Sequence, residues 1–222
     1  MMIQPDAAAR SETAPRANMP AATARDVDGC RDASARLLMT LDGLDDATAR
    51  RPSRLPGWTV GHVVTHLARN ADSHVRMLEG AVAGRVADQY EGGLDGRAAD
   101  IAAGAGRPAA ELVTDLNRAI GDLDATWGRV PVEVWANGHA RTGIGELCPC
   151  TELPARRWRE VEIHRVDLGL GAEPADWPDA YVELELPKAL AQLPDRLSPA
   201  DRARLLAWLV GRVEGPPELP PW

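Results

Sequence analysis

Glu160 and His164 stand four residues apart in a segment with helical patterning. On a helix that spacing turns a side chain by about 40° and lifts it one turn, so a carboxylate and an imidazole converge on one point. Val161 and Leu168 lie on one flank of this strip and Ile163 on the other, which places the polar pair partly inside. A buried charge needs a partner or a metal ion. Arg157 shares the neighbourhood, so a Glu–His or Glu–Arg contact is the simplest use of the pattern. A metal centre needs a further ligand from another helix.

His62, His66, His74 and His139 are the candidates. His62 and His66 are themselves four apart and form a possible metal pair of their own. On their helix, however, His66 lies about 120° from the centre of the apolar stripe and His62 farther still. Periodicity therefore buries neither, and each alone reads as an exposed or capping histidine. His74 fits the edge of the stripe and reads as packing. Cys148 and Cys150 flank a single proline, a poor geometry for a chelate or a disulfide, and Cys30 reads as a core thiol. No Walker loop, dinucleotide fingerprint or nucleophile elbow is present.

Composition narrows the class of function. The 222 residues carry 25 Lys+Arg against 33 Asp+Glu, a formal charge of −8. An isoelectric point near 5.2 argues against a nucleic-acid surface or a polybasic membrane anchor. The longest apolar run, 205–210, is far short of the about 20 residues that a spanning helix needs. Three cysteines make no disulfide framework and point to a reducing cytoplasm. With 45% hydrophobic residues the chain can bury a core.

The elements that must position these residues follow from periodicity and punctuation. Residues 1–24 read as a disordered leader. A helical pattern starts near Asp26 and breaks at 51–57, where two prolines and a glycine fall together. A second helix starts behind Thr59 as N-cap, with Val60, Val63, Val64, Leu67, Ala71, Val75 and Leu78 in one stripe. Further helices are expected over 97–104, 108–127 and 152–168, and a short strand over 132–135 within an irregular stretch. Four main helices with one irregular crossover make a bundle. Residues 172–222 form a short, mostly helical appendage, kinked or split at Pro187, with Ser198 opening a last helix before an extended tail.

The run LPGWTVGHVVTHLARN at 55–70 resembles the second-helix signature of the mycothiol-dependent maleylpyruvate isomerase family. RWREVEIHRVDLG at 157–169 looks like its second signature, an R-E-x-x-x-H-x-x-D-L run, and Tyr90, Arg97 and Ile101 are weaker echoes between the two. The resemblance implies a mainly α, DinB-like four-helix bundle over residues 25–171. It implies a divalent metal, zinc or another, on His66, Glu160 and His164, with mycothiol as thiol cofactor. Two histidines and one carboxylate leave an open position on zinc. The implied reaction is the cis–trans isomerisation of maleylpyruvate to fumarylpyruvate in aromatic breakdown, by thiolate addition, bond rotation and elimination. The dianionic substrate calls for cations, and Arg157 and Arg97 are the expected ones. The family tail often ends Pro-Pro-Arg-Trp where this chain has Leu219-Pro220-Pro221-Trp222. A mycothiol S-transferase acting on another electrophile, and a non-catalytic metal-binding module with a closed four-ligand site, are the alternatives. The expected partners are a small-molecule substrate and the thiol, with no nucleic acid and no membrane, for a cytoplasmic monomer or small homo-oligomer.

Overall fold

In a computed structural model, residues 19–219 are described. The first eighteen residues of the expected leader and the last three of the tail lie outside them. The first compact unit, which extends to Pro174, holds α1 (Ala21–Thr40), a short α2 (Asp46–Ala49), α3 (Val60–Val82), α4 (Gly93–Gly104), α5 (Ala109–Arg129), α6 (Val132–Asn137), β1 (His139–Arg141), β2 (Leu147–Pro149) and α7 (Leu153–Asp167). Helix α1 begins at Ala21, inside the segment expected to be leader.

The main helices pair as their apolar faces require. Helix α3 lies along α5 and α1 along α7, while α3 on α7 and a smaller contact of α1 on α5 close the ring. Leu37 from α1, Val63, Val64, Leu67 and Leu78 from α3, Leu112, Leu116 and Leu123 from α5, and Leu153 and Val161 from α7 are buried between them. Each such side chain contributes about 1.5–3 kcal/mol relative to exposure. Helix α3 is the central element, because α4 and β1 also pack on it. Its covered surface is therefore wider than its apolar stripe.

Thr59 caps α3 as expected. Its hydroxyl accepts from the His62 backbone N–H, and His62 Nδ1 in turn accepts from the Thr59 N–H at 3.2 Å. Helix α4 is held against the start of α3 by a close approach that only glycine permits: a Cβ on Gly61 would collide with the Ala105 carbonyl oxygen.

The crossover differs from expectation. Residues 132–135 are helical, not a strand. Pro131, with extended backbone, leads directly into the turn, Trp135 is buried by it, and Gly138 closes it. Burial of the indole outweighs the β-propensity of the two valines. The strands are β1 and β2, which pair antiparallel with Ala140 opposite Cys148. Cys30, Cys148 and Cys150 are free and buried.

The second unit starts at Ala175. Helix α8 (Asp179–Arg196) continues through Pro187 and Pro194 and is not split at Pro187. Trp177 packs edge-on against Tyr181 with ring centroids 5.7 Å apart. Ser198 caps α9 (Pro199–Leu209), its side chain accepting from the Asp201 N–H. Among the described residues no helix is long and apolar enough to cross a membrane.

Candidate metal centre

Helices α3 and α7 bring three ligand-type side chains to one place. His66 Nε2 is 2.9 Å from Glu160 Oε2, and His164 Nε2 is 3.6 Å from the same oxygen. The two imidazoles meet edge-to-face with centroids 4.7 Å apart. One ligand atom from each of the three lies within 4.8 Å of the others, and among the described residues no fourth His, Cys, Asp or Glu joins them.

His66 is buried, which periodicity did not indicate. Its side of α3 faces α7 and is covered by Trp58, whose ring lies edge-on at 5.7 Å. The remaining candidates are engaged elsewhere. His62 is consumed by the cap of α3. His74 Nδ1 bonds the Asn70 carbonyl in the core, and His139 Nδ1 bonds the Asn137 carbonyl. Glu162 is fully buried on the opposite flank of α7, where it accepts from Arg36 and the Trp158 indole.

The outer partners prepare the three groups for a cation. Asp167 Oδ2 is 2.9 Å from His164 Nδ1, which leaves Nε2 directed to the shared point. A carboxylate behind a histidine is the usual support of a ligating imidazole. Asp167 lies in the second signature, but its i, i+3 relation to His164 was given no role in the sequence reading. Arg97 Nη2, on α4, is 3.2 Å from His66 Nδ1. Arginine only donates, so Nδ1 is the acceptor and Nε2 carries the proton given to Glu160. The Arg97 guanidinium also sits 5.8 Å from the ring centroids of both Trp58 and Tyr90.

Protonation follows from burial and these bonds. Burial pushes His66 down to about 4, only partly offset by Glu160, so it is neutral at pH 7. For His164 burial works in the same direction but is outweighed by Asp167 and Glu160, which raise it to about 9. Burial alone would raise the Glu160 carboxyl; bonds from His164 and His66 prevail and hold it well below the ordinary range. Two nitrogen donors and one ionised carboxylate suit zinc or a similar divalent ion.

Of the two arginines expected beside the substrate, only Arg97 reaches the triad. Arg157 points into the bundle interior, 1% exposed, and donates to the Leu67 carbonyl at 2.9 Å and to Asn70 Oδ1 at 2.8 Å. Helical spacing put it near Glu160, but packing of α7 on α3 turned it inward. The sequence reading missed Arg156 and Arg159, which line a cavity of about 90 Å³ beside Glu160 together with Asn70, Gln89 and Thr142. A wider groove of about 830 Å³ shares Gln89 and Thr142 with it and carries Tyr90.

Known proteins share this fold. The family described as mycothiol maleylpyruvate isomerase N-terminal domain matches residues 30–169, which include all three triad residues. A crystal structure of the mycothiol-dependent maleylpyruvate isomerase is 27% identical, with a TM-score of 0.69 over 72% of this chain and 66% of that one. The chain thus spans just under two-thirds of that relative. A crystal structure of a histidine-to-alanine mutant of the mycothiol-dependent maleylpyruvate isomerase, 24% identical, shares the fold with a TM-score of 0.73 over 79% of this chain and 73% of that one. No curated protein sequence matches the chain. The helical bundle and the extent of the match together place the chain in the mycothiol maleylpyruvate isomerase N-terminal domain family.

Proposed function

We propose that this protein is a cytoplasmic, metal- and mycothiol-dependent isomerase that converts maleylpyruvate to fumarylpyruvate. The observation that carries the reading is the convergence of His66, Glu160 and His164 with three ligand atoms and no fourth among the described residues. A three-ligand centre keeps a position for an exogenous group, whereas a closed structural site does not. Zinc bound there supplies Lewis-acid stabilisation of a thiolate at neutral pH.

The side chains account for the remainder. His66 is neutral and Glu160 ionised at pH 7, so both are ready as ligands, while His164 gives up one proton to become one. A metal ion held on His66 Nε2 would leave Nδ1 as the protonated nitrogen. Arg97 then has no acceptor there, and its guanidinium is released to a substrate carboxylate. Arg156 and Arg159, lining the cavity beside Glu160, are placed to meet the second carboxylate. The chemistry a bound thiol would supply is reversible addition to the substrate alkene, while Arg97, Arg156 and Arg159 would hold the two carboxylates as the bond between the alkene carbons turns.

A mycothiol S-transferase is the second reading, supported by the inward turn of Arg157, which removes one of the two cations expected beside a dianionic substrate. Metal analysis of the purified protein with a mycothiol-dependent assay on maleylpyruvate decides between them. About one zinc per chain with fumarylpyruvate formation establishes the isomerase. Zinc without isomerisation selects the transferase, and a protein that takes up no metal on reconstitution rules out both.

A further inference from the structure

The end of α3, the segment that follows it and the β1–β2 hairpin enclose a groove that none of the three candidate metal ligands lines. Hydrogen bonds fix its floor. The Gln89 N–H donates to the Arg141 carbonyl and the Arg141 N–H to the Ala87 carbonyl, each at 2.9 Å. The Gly143 N–H donates to Gln89 Oε1 at 2.8 Å. The segment also lies directly on α3, because a Cβ on Gly80 would collide with that of Ala87. The groove, about 830 Å³, is thus built by the fold itself.

Its lining selects a class of ligand. Arg76, Arg85 and Arg141 are matched in number by Glu79, Asp88 and Glu91, so their formal charges cancel and neither an anion nor a cation is favoured by net charge. Val86 and Ala87 are its only aliphatic side chains, too few to shelter an apolar ligand. The charged groups are within reach from solvent. Arg76 pairs with Glu91 at 2.9 Å and Arg141 with Asp88 at 3.3 Å, and the two carboxylate side chains are 88% and 70% exposed. Such exposed pairs open at little cost. Glu79 and Arg85 are exposed and, among the described residues, have no hydrogen-bond or ion-pair partner. Donors and acceptors interleaved around an open groove suit hydroxyl groups, each of which donates and accepts. The groove also adjoins the triad: Gln89 and Thr142 line both it and the cavity of about 90 Å³ that Glu160 lines. That cavity has the volume of about three waters, room for a short arm and not for a ring system.

We propose that this groove seats the polyhydroxylated body of the thiol cofactor, with the thiol-bearing arm passing Gln89 and Thr142 to the cavity beside Glu160. The inference rests on the thiol-dependent reading above. Mycothiol matches the lining, because it carries its cysteinyl thiol on a neutral body of two linked, hydroxylated rings. A volume of about 830 Å³ lies in the upper part of the about 300–1,000 Å³ range of ligand pockets, as a two-ring body requires. Arg76 and Glu79, three residues apart on α3, are hydroxyl partners from one side, and Asp88 and Arg141 from the hairpin side.

N-acetylglucosaminyl-inositol, the neutral body with an acetyl group in place of the thiol arm, is the probe. It is titrated into the full chain with and without metal chelation, and binding is read by ligand-observed NMR. The wild-type protein is expected to bind it with a Kd of about 1 mM or tighter, equally in both conditions. The double variant Arg76→Ala/Glu79→Ala removes one donor and one acceptor from the surface of α3 and leaves helicity unchanged, since alanine favours the helix. Its affinity for the probe is expected to fall at least about tenfold, the value of a hydrogen bond to a charged group. No binding by the wild type, or equal binding by the variant, overturns the proposal. Either result in a protein that isomerises maleylpyruvate with mycothiol overturns the groove alone and leaves the isomerase standing. Probe binding in a protein that takes up no metal supports the groove and overturns the isomerase alone.

Discussion

Replacing Asp167 by alanine separates two effects that one carboxylate exerts on the candidate metal centre. Asp167 Oδ2, 2.9 Å from His164 Nδ1, orients the imidazole and makes it more basic. Loss of such a partner costs about 10- to 100-fold in metal affinity. The same carboxylate, with Glu160, overcomes burial and raises His164 to about 9. At pH 7 an incoming metal must therefore displace a proton. With about two pH units to cover, that competition is worth about 3 kcal/mol, on the order of 100-fold. His66, pushed down to about 4 by burial, and Glu160, held well below its ordinary range, release nothing at that pH. The wild-type protein should release about one proton per metal at pH 7 and gain about tenfold in affinity per pH unit up to pH 9. In Asp167→Ala, His164 titrates lower and its affinity levels off at lower pH. The deficit against wild type should be about 10- to 100-fold above pH 9 and smaller at pH 7, where weaker proton competition offsets part of it. Zinc titration against a competing chelator from pH 6.5 to 9.5, with calorimetry in two buffers of different ionisation enthalpy, measures both quantities. A wild-type affinity that is flat between pH 7 and 9, or a variant deficit that does not grow with pH, refutes the reasoning.

Arg97→Ala should leave zinc content intact while lowering kcat/KM for an anionic substrate by about 10- to 100-fold, the value of a charge-assisted contact; an unchanged kcat/KM removes Arg97 from substrate binding. Gly61→Ala should destabilise the first unit by about 1–3 kcal/mol, because its Cβ meets the Ala105 backbone, with a lower melting temperature in scanning calorimetry. His74 is pushed down to about 4 by burial, against about 6.5 in the unfolded chain. Below pH 6.5 the unfolded state takes up a proton that the folded state refuses, so stability declines as pH falls through the window from 6.5 to about 4. That loss is at most about 3 kcal/mol, and His74→Met should flatten this part of a guanidinium-midpoint series, whereas an equal slope in the variant assigns the loss to other groups.

What was legible in the sequence is what local geometry decides. The stripe from Val60 to Leu78 and the Thr59 cap define α3 because a helix repeats every 3.6 residues and its first N–H groups need an acceptor. Glu160 and His164 share a face of α7 for the same reason, before any packing is known. The two family signatures carried His66 into the same group, although periodicity argued that it lay outside. Tertiary structure decided the remainder. His66 is buried because α3 is covered by α5, α7, α4 and β1 at once, and one apolar stripe cannot report more than one covered side. Residues 132–135 became helix because the Trp135 indole finds its burial that way. Arg97 was brought from a third helix to His66 by the close approach at Gly61, and Arg157, four residues before Val161 on the same helix, was turned into the core. A sequence specifies which residues share a helical face; which face meets a site, a core or a cleft is set by how the helices pack, because that depends on side chains far apart along the chain.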